Sequence, residues 1–137
     1  MQVFYLSSHA HPESFGSFIK KFCDEGKQDE LAPHIAKIAH IADRGGHPQP
    51  PYAKPLREVD GGLNEICSKL NEKEHLRIYY FVDRESKKMI LLNITIKPTL
   101  YEGSKRKRVE KEIQESIEEA LRIKEKYITS QNDYEKL

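Results

Sequence analysis

Five consecutive residues, Ile78-Tyr79-Tyr80-Phe81-Val82, are all apolar or aromatic and all strand-forming. A strand points successive side chains to opposite faces, so such a run is apolar on both. It predicts a central strand, covered on one side by helices. Residues 63–70 and 89–96 are strand-like as well. The polar stretches 71–74 and 83–87 between these runs have the length of hairpin connections. Together they predict a meander.

Upstream, residues 3–7 read as a short strand. His11-Pro12-Glu13 predicts a helix start, since proline suits the first helical position and glutamate the positive end of the dipole. Phe15, Phe18, Ile19 and Phe22 follow with the spacing of one helical face, and Gly26 stops them. A second helix begins near Asp29. Leu31, Ile35, Ile38, Ala39 and Ala42 form its apolar stripe, and Gly45-Gly46 ends it. Two short helices joined at a glycine predict a helical hairpin. His47-Pro48-Gln49-Pro50-Pro51 lacks the N–H donors of a helix or central strand and predicts a surface connector.

After a turn at 98–103, Val109, Ile113, Ile117, Ala120, Leu121, Lys124 and Ile128 mark one face of a long helix. Residues 129–137 predict a frayed tail. The expectation is one α+β domain over residues 1–137. In it an N-terminal helical hairpin packs on a mainly antiparallel sheet of about four strands, with a C-terminal helix added.

A formal charge of +1 offers no general attraction to nucleic acid, so any anion site must come from local clustering. Cys23 and Cys67 are too few for a disulfide framework and form no C-x-x-C pair, which predicts reduced thiols. The first residues show no basic segment before an apolar one, and apolar runs are short. The expectation is therefore a cytoplasmic chain with no membrane partner. P-loop, G-x-S-x-G and dinucleotide fingerprints are absent from the sequence. His9, His11, His34, His40, His47 and His75 are scattered without ligand spacing. They are expected to be solvated or capping, with no metal and no cofactor.

The cations near strands carry more information. Lys54 and Arg57 precede the meander, Arg77 sits on the central strand, and Lys97 ends the last strand. On an open sheet face they would repel one another unless an anion joined them. Ion pairs with Glu58, Glu65 or Asp83 are the plainer alternative. Lys105-Arg106-Lys107-Arg108 opens the last helix, where the dipole favours acids. That placement suits phosphate contact. It also suits a solvated run neutralised by Glu110 and Glu112.

Lys54-Pro55-Leu56, then Leu63-Asn64-Glu65-Ile66, then Arg77-Ile78-Tyr79-Tyr80-Phe81 resemble the RelE superfamily, especially its HigB-like, phage-derived branch. The order continues with Ile90-Leu91-Leu92 and a final helix bearing Ala120-Leu121-Arg122, so the resemblance spans roughly residues 31–127. It implies the toxin of a type II toxin–antitoxin system, a metal-independent mRNA endonuclease acting on the ribosome. It also implies a partner, a cognate antitoxin with a helix-turn-helix DNA-binding domain. Carried over by position, Arg77 would hold the scissile phosphate. Lys54 and Arg57 would grip the backbone or act as base, and Lys97 would begin the basic loop. Tyr101 would stack on a base or lend a proton. Lys105, Arg106, Lys107, Arg108 and Arg122 would bind nucleic acid. Cys67 and Pro98 stand where the family carries basic residues. That leaves open a degenerate binding protein on the same fold, or a gyrase-directed toxin like the ParE branch.

Overall fold

A computed structural model describes residues 1–57 and 62–137, with Arg57 described in its backbone only. Glu58 and the side chain of Arg57, both named above, lie outside the described residues. The described residues form an α+β fold of three α-helices and one six-stranded mixed sheet. Strands β1 (Gln2–Leu6), β2 (Ala53–Arg57), β3 (Leu63–Lys69), β4 (Glu74–Asp83), β5 (Lys88–Pro98) and β6 (Tyr134–Lys136) lie in the order β2-β3-β4-β5-β1-β6. The β2 to β5 ladders are antiparallel, β1 runs parallel to β5, and β6 runs antiparallel to β1.

The expected sheet of about four strands is thus two strands short. Strand β2 was hidden by Pro55, which cannot donate to a ladder. It is tolerated here because β2 is an edge strand. The tail expected to fray at 129–137 instead returns to the sheet. Leu137 N donates to Val3 O at 2.9 Å, and Ser7 N to Asp133 O at 2.8 Å. Tyr127 anchors that return, packed edge-on against Phe81 and hydrogen-bonded to Asp83.

Helices α1 (Phe15–Asp24) and α2 (Ala32–Asp43) cover one face of the sheet. Helix α1 starts later than His11-Pro12-Glu13 suggests. Residues 13 and 14 run beside β5 instead, where Ile94 N donates to Glu13 O at 2.9 Å. The cap is Ser14, whose hydroxyl accepts from Ser17 N at 3.0 Å. A 3-10 turn, Gln28–Leu31, leads into α2, and Gly45 and Gly46 end it with positive φ. Helix α3 (Ser104–Glu125) packs on the opposite face through Ile113, Ile117, Ala120 and Leu121. Ile128 lies past its end and is exposed, so the expected stripe finishes on Tyr127.

Strand β4 joins the two cores. Leu76, Ile78 and Tyr80 enter the α1–α2 side, while Tyr79 and Phe81 enter the α3 side. No helix among the described residues is long and apolar enough to cross a membrane. His34 is not a solvated histidine. It is buried, with Nδ1 2.6 Å from Ser68 Oγ.

Candidate functional site

Along β4 the α3-facing side changes character at Tyr79. The next residue on that face is Arg77, opposite Cys67 of β3 and Thr95 of β5. Lys54 of β2 is paired with Glu65, which is itself paired with Tyr79. The register alone therefore gathers Lys54, Glu65, Cys67, Arg77 and Thr95 on one patch of sheet.

Glu65 organises the patch. Its side chain is fully buried, yet both oxygens are engaged. Arg77 Nη1 donates to Oε2 at 3.0 Å, and Cys67 Sγ donates to Oε1 at 3.1 Å. Lys54 Nζ stands 3.9 Å from Oε1. A carboxylate without exposure persists only when paired and hydrogen-bonded, and these three groups meet that need. Burial, then the hydrogen bond to Glu65, pushes the Cys67 thiol up, so it stays a neutral donor. A hollow of about 220 Å³ opens beside Glu65, lined by Tyr52, Lys54 and Cys67 among others.

The cations exceed the charge they neutralise. Lys54, Arg77 and Lys97 are three positive groups around one carboxylate. Burial, then the field of Arg77, lowers the Lys97 ammonium from its ordinary value. Lys97 Nζ lies 5.9 Å from the centre of the Tyr101 ring, at the outer reach of a cation–π contact. Arg77 Nε is buried with no hydrogen-bond partner. Beneath the patch Tyr79 is fully buried, its hydroxyl 3.1 Å from Thr95 Oγ1, and burial pushes it up to about 12. It is a structural hydroxyl rather than a titrating one.

Four of the residues singled out in the sequence thus come together: Lys54, Arg77, Lys97 and Tyr101. The face is not open as anticipated, since Arg77 keeps 14% exposure and already holds Glu65. Lys105, Arg106, Lys107 and Arg108 form the exposed first turns of α3, following the Tyr101 segment. Arg106 pairs with Glu110 at 3.0 Å. Arg122 does not join them. It lies about 21 Å farther along the helix than Arg108, at about 1.5 Å of rise per residue, and binds Glu119 at 2.6 Å. Glu65, named in the sequence as one of three possible ion-pair partners, is the one that pairs with both Arg77 and Lys54. Its signal was a carboxylate between Leu63 and Ile66 in a strand-like run.

Comparison with known proteins matches this chain to no family model, no curated relative and no solved structure.

Proposed function

We propose that the chain is a RelE/HigB-type toxin that cleaves mRNA on the ribosome. One observation carries the reading: Lys54, Arg77 and Lys97 meet on one sheet patch with positive charge to spare. Tyr101 and the basic start of α3 extend that patch outward. Resemblance to the RelE superfamily along residues 54–97 points the same way.

The chemistry needs no bound cofactor. The 2′-oxygen of a ribose attacks its own 3′-phosphate, its proton leaves to a base, and the P–O5′ bond breaks as an acid protonates the leaving oxygen. Arg77 would stabilise the extra negative charge on phosphorus, with Glu65 holding the guanidinium in place as a positioning residue. Lys97, whose ammonium burial and the field of Arg77 lower from its ordinary value, is the group we assign to the proton transfer.

Induced expression should arrest growth, and purified protein should cut mRNA on translating ribosomes. Lys97→Arg keeps the charge but cannot exchange the proton. It should lower cleavage by about a hundredfold or more. Cleavage unaltered by Lys97→Arg, or harmless expression of the wild type, would sink the reading.

A second reading has its own support. Arg77 and Lys54 are already engaged by Glu65, and Cys67 fills the place where the family carries arginine. This favours a degenerate protein that binds a partner without cleaving. It predicts intact ribosomal mRNA together with a stable protein complex.

A further inference from the structure

Helix α3 has a second flank on the same sheet face. Between it and residues 11–13 lies a groove of about 460 Å³. Asn93 and Thr95 of β5 lie in it, and its walls carry Glu13, Glu112, Glu115 and Glu119. The cations present are already committed. His11 Nε2 lies 3.4 Å from Glu119, and Arg122 binds the same carboxylate at 2.6 Å. Lys111 stands 3.9 Å from Glu115. Acid remains in excess, and Glu13, Glu112 and Glu115 are exposed.

Asn93 supplies a second and independent observation. It is only 1% exposed, and its Nδ2 donates to Ser116 O at 2.9 Å. That bond turns the nitrogen toward α3 and leaves Oδ1 as the free acceptor, with no hydrogen-bond partner. Buried acceptors are rarely left unpaired, so this one calls for a donor. A metal ion fits poorly. Among the described residues no three His, Cys, Asp or Glu side chains are close enough to hold one. Dispersed carboxylates around one amide oxygen suit a larger cation that brings several N–H groups.

We propose that this groove binds an organic cation, a guanidinium or alkylammonium group. Asn93 Oδ1 accepts a hydrogen bond from it, and Glu112 and Glu115 balance its charge. Two sources share that chemistry: an arginine or lysine side chain of a protein partner, and a free polyamine. The groove adjoins the cationic patch through Thr95 but is lined by none of Lys54, Arg77 and Lys97, so the inference stands whether or not the chain cleaves RNA.

The test is amide chemical-shift mapping on the full isotope-labelled chain at low salt, where charge contacts are least screened. The probes are a capped arginine dipeptide, its neutral citrulline counterpart, spermidine and magnesium. The arginine peptide or spermidine should move the Asn93 side-chain amide and the backbone of residues 112–119. Citrulline should bind at least about tenfold more weakly. Glu112→Gln with Glu115→Gln should weaken binding by a similar factor without changing the folded spectrum, since both side chains are exposed. Tighter binding of the peptide assigns the groove to a protein partner, and tighter binding of spermidine to a polyamine. Silence up to about 10 mM probe, equal binding of citrulline, the same shifts with magnesium, or indifference to the double substitution would each overturn the proposal.

Discussion

The two faces of the sheet are built from the same strands and do different work. On the α1–α2 face, β4 contributes Leu76, Ile78 and Tyr80, all fully buried. They meet Phe15, Phe18, Ile38 and Ile41, with Ile66, Met89 and Leu91 from the flanking strands. This face is apolar along the whole of β4's contribution, with Ile96 exposed at its end. On the α3 face the same strand contributes Phe81, Tyr79 and then Arg77. Helix α3 covers the first two, and beyond them the sheet carries charge instead of apolar surface. The comparison teaches that the site costs the fold little. One face supplies the stability, which frees half of the other to hold a buried carboxylate and surplus cations.

The comparison breaks most sharply on the apolar face. Ile78→Ala removes a fully buried side chain from the middle of the larger core. It should cost about 2–5 kcal/mol, depending on how far the cavity collapses. Urea unfolding measures this directly, and an unchanged midpoint would contradict the division of labour. The site face should behave differently. Arg77→Ala leaves Glu65 in the interior with the neutral Cys67 thiol at 3.1 Å and Lys54 at 3.9 Å as its remaining partners. A loss of about 3 kcal/mol is expected, because an uncompensated buried charge remains. Replacing both partners, Arg77→Met with Glu65→Leu, should restore stability to within about 1 kcal/mol of wild type. It should also abolish the proposed RNA cleavage. A double variant that stays unstable would make the pair a structural element, and one that still cuts RNA would remove Arg77 from the chemistry.

The same contrast explains what the sequence disclosed. Strands β3, β4 and β5 were legible because their apolar runs are long and their loops are of hairpin length. Strand β6 was not, since Tyr134–Lys136 has no apolar pattern and exists only by pairing with β1. The start of α1 was misplaced because a capping serine, Ser14, outweighed a helix-compatible proline once residues 13 and 14 were held against β5. At the site, Arg77 stood out as a cation within a strand. Glu65 was legible only as one of three possible partners, because which of them Arg77 meets depends on the β3–β4 register, and register is a tertiary property. Arg122 was grouped with the other cations through the resemblance at Ala120-Leu121-Arg122, and the length of α3 separates them.

The smallest effect belongs to the apolar face and turns on its one buried histidine. His34 is 2% exposed, and burial, then the charge of Lys37, lowers its pKa below the ordinary 6.5. In the unfolded chain it titrates near that ordinary value. As pH falls through about 6.5 the unfolded state therefore takes up the proton first, and stability declines until the folded-state value is reached. Above about 6.5 the contribution is whole, and below the folded value no further loss comes from this group. His34→Gln retains a donor and an acceptor for Ser68 but does not titrate. The variant should start somewhat less stable than wild type, since its amide differs in shape from the imidazole it replaces. Its decline between about pH 7.5 and 5.5 should be shallower by the share that His34 contributes. Unfolding free energies of the two proteins at both ends of that range decide the matter. Parallel declines would mean that protonation reaches His34 without opposing the fold, and that the apolar face is less closed than its burial implies.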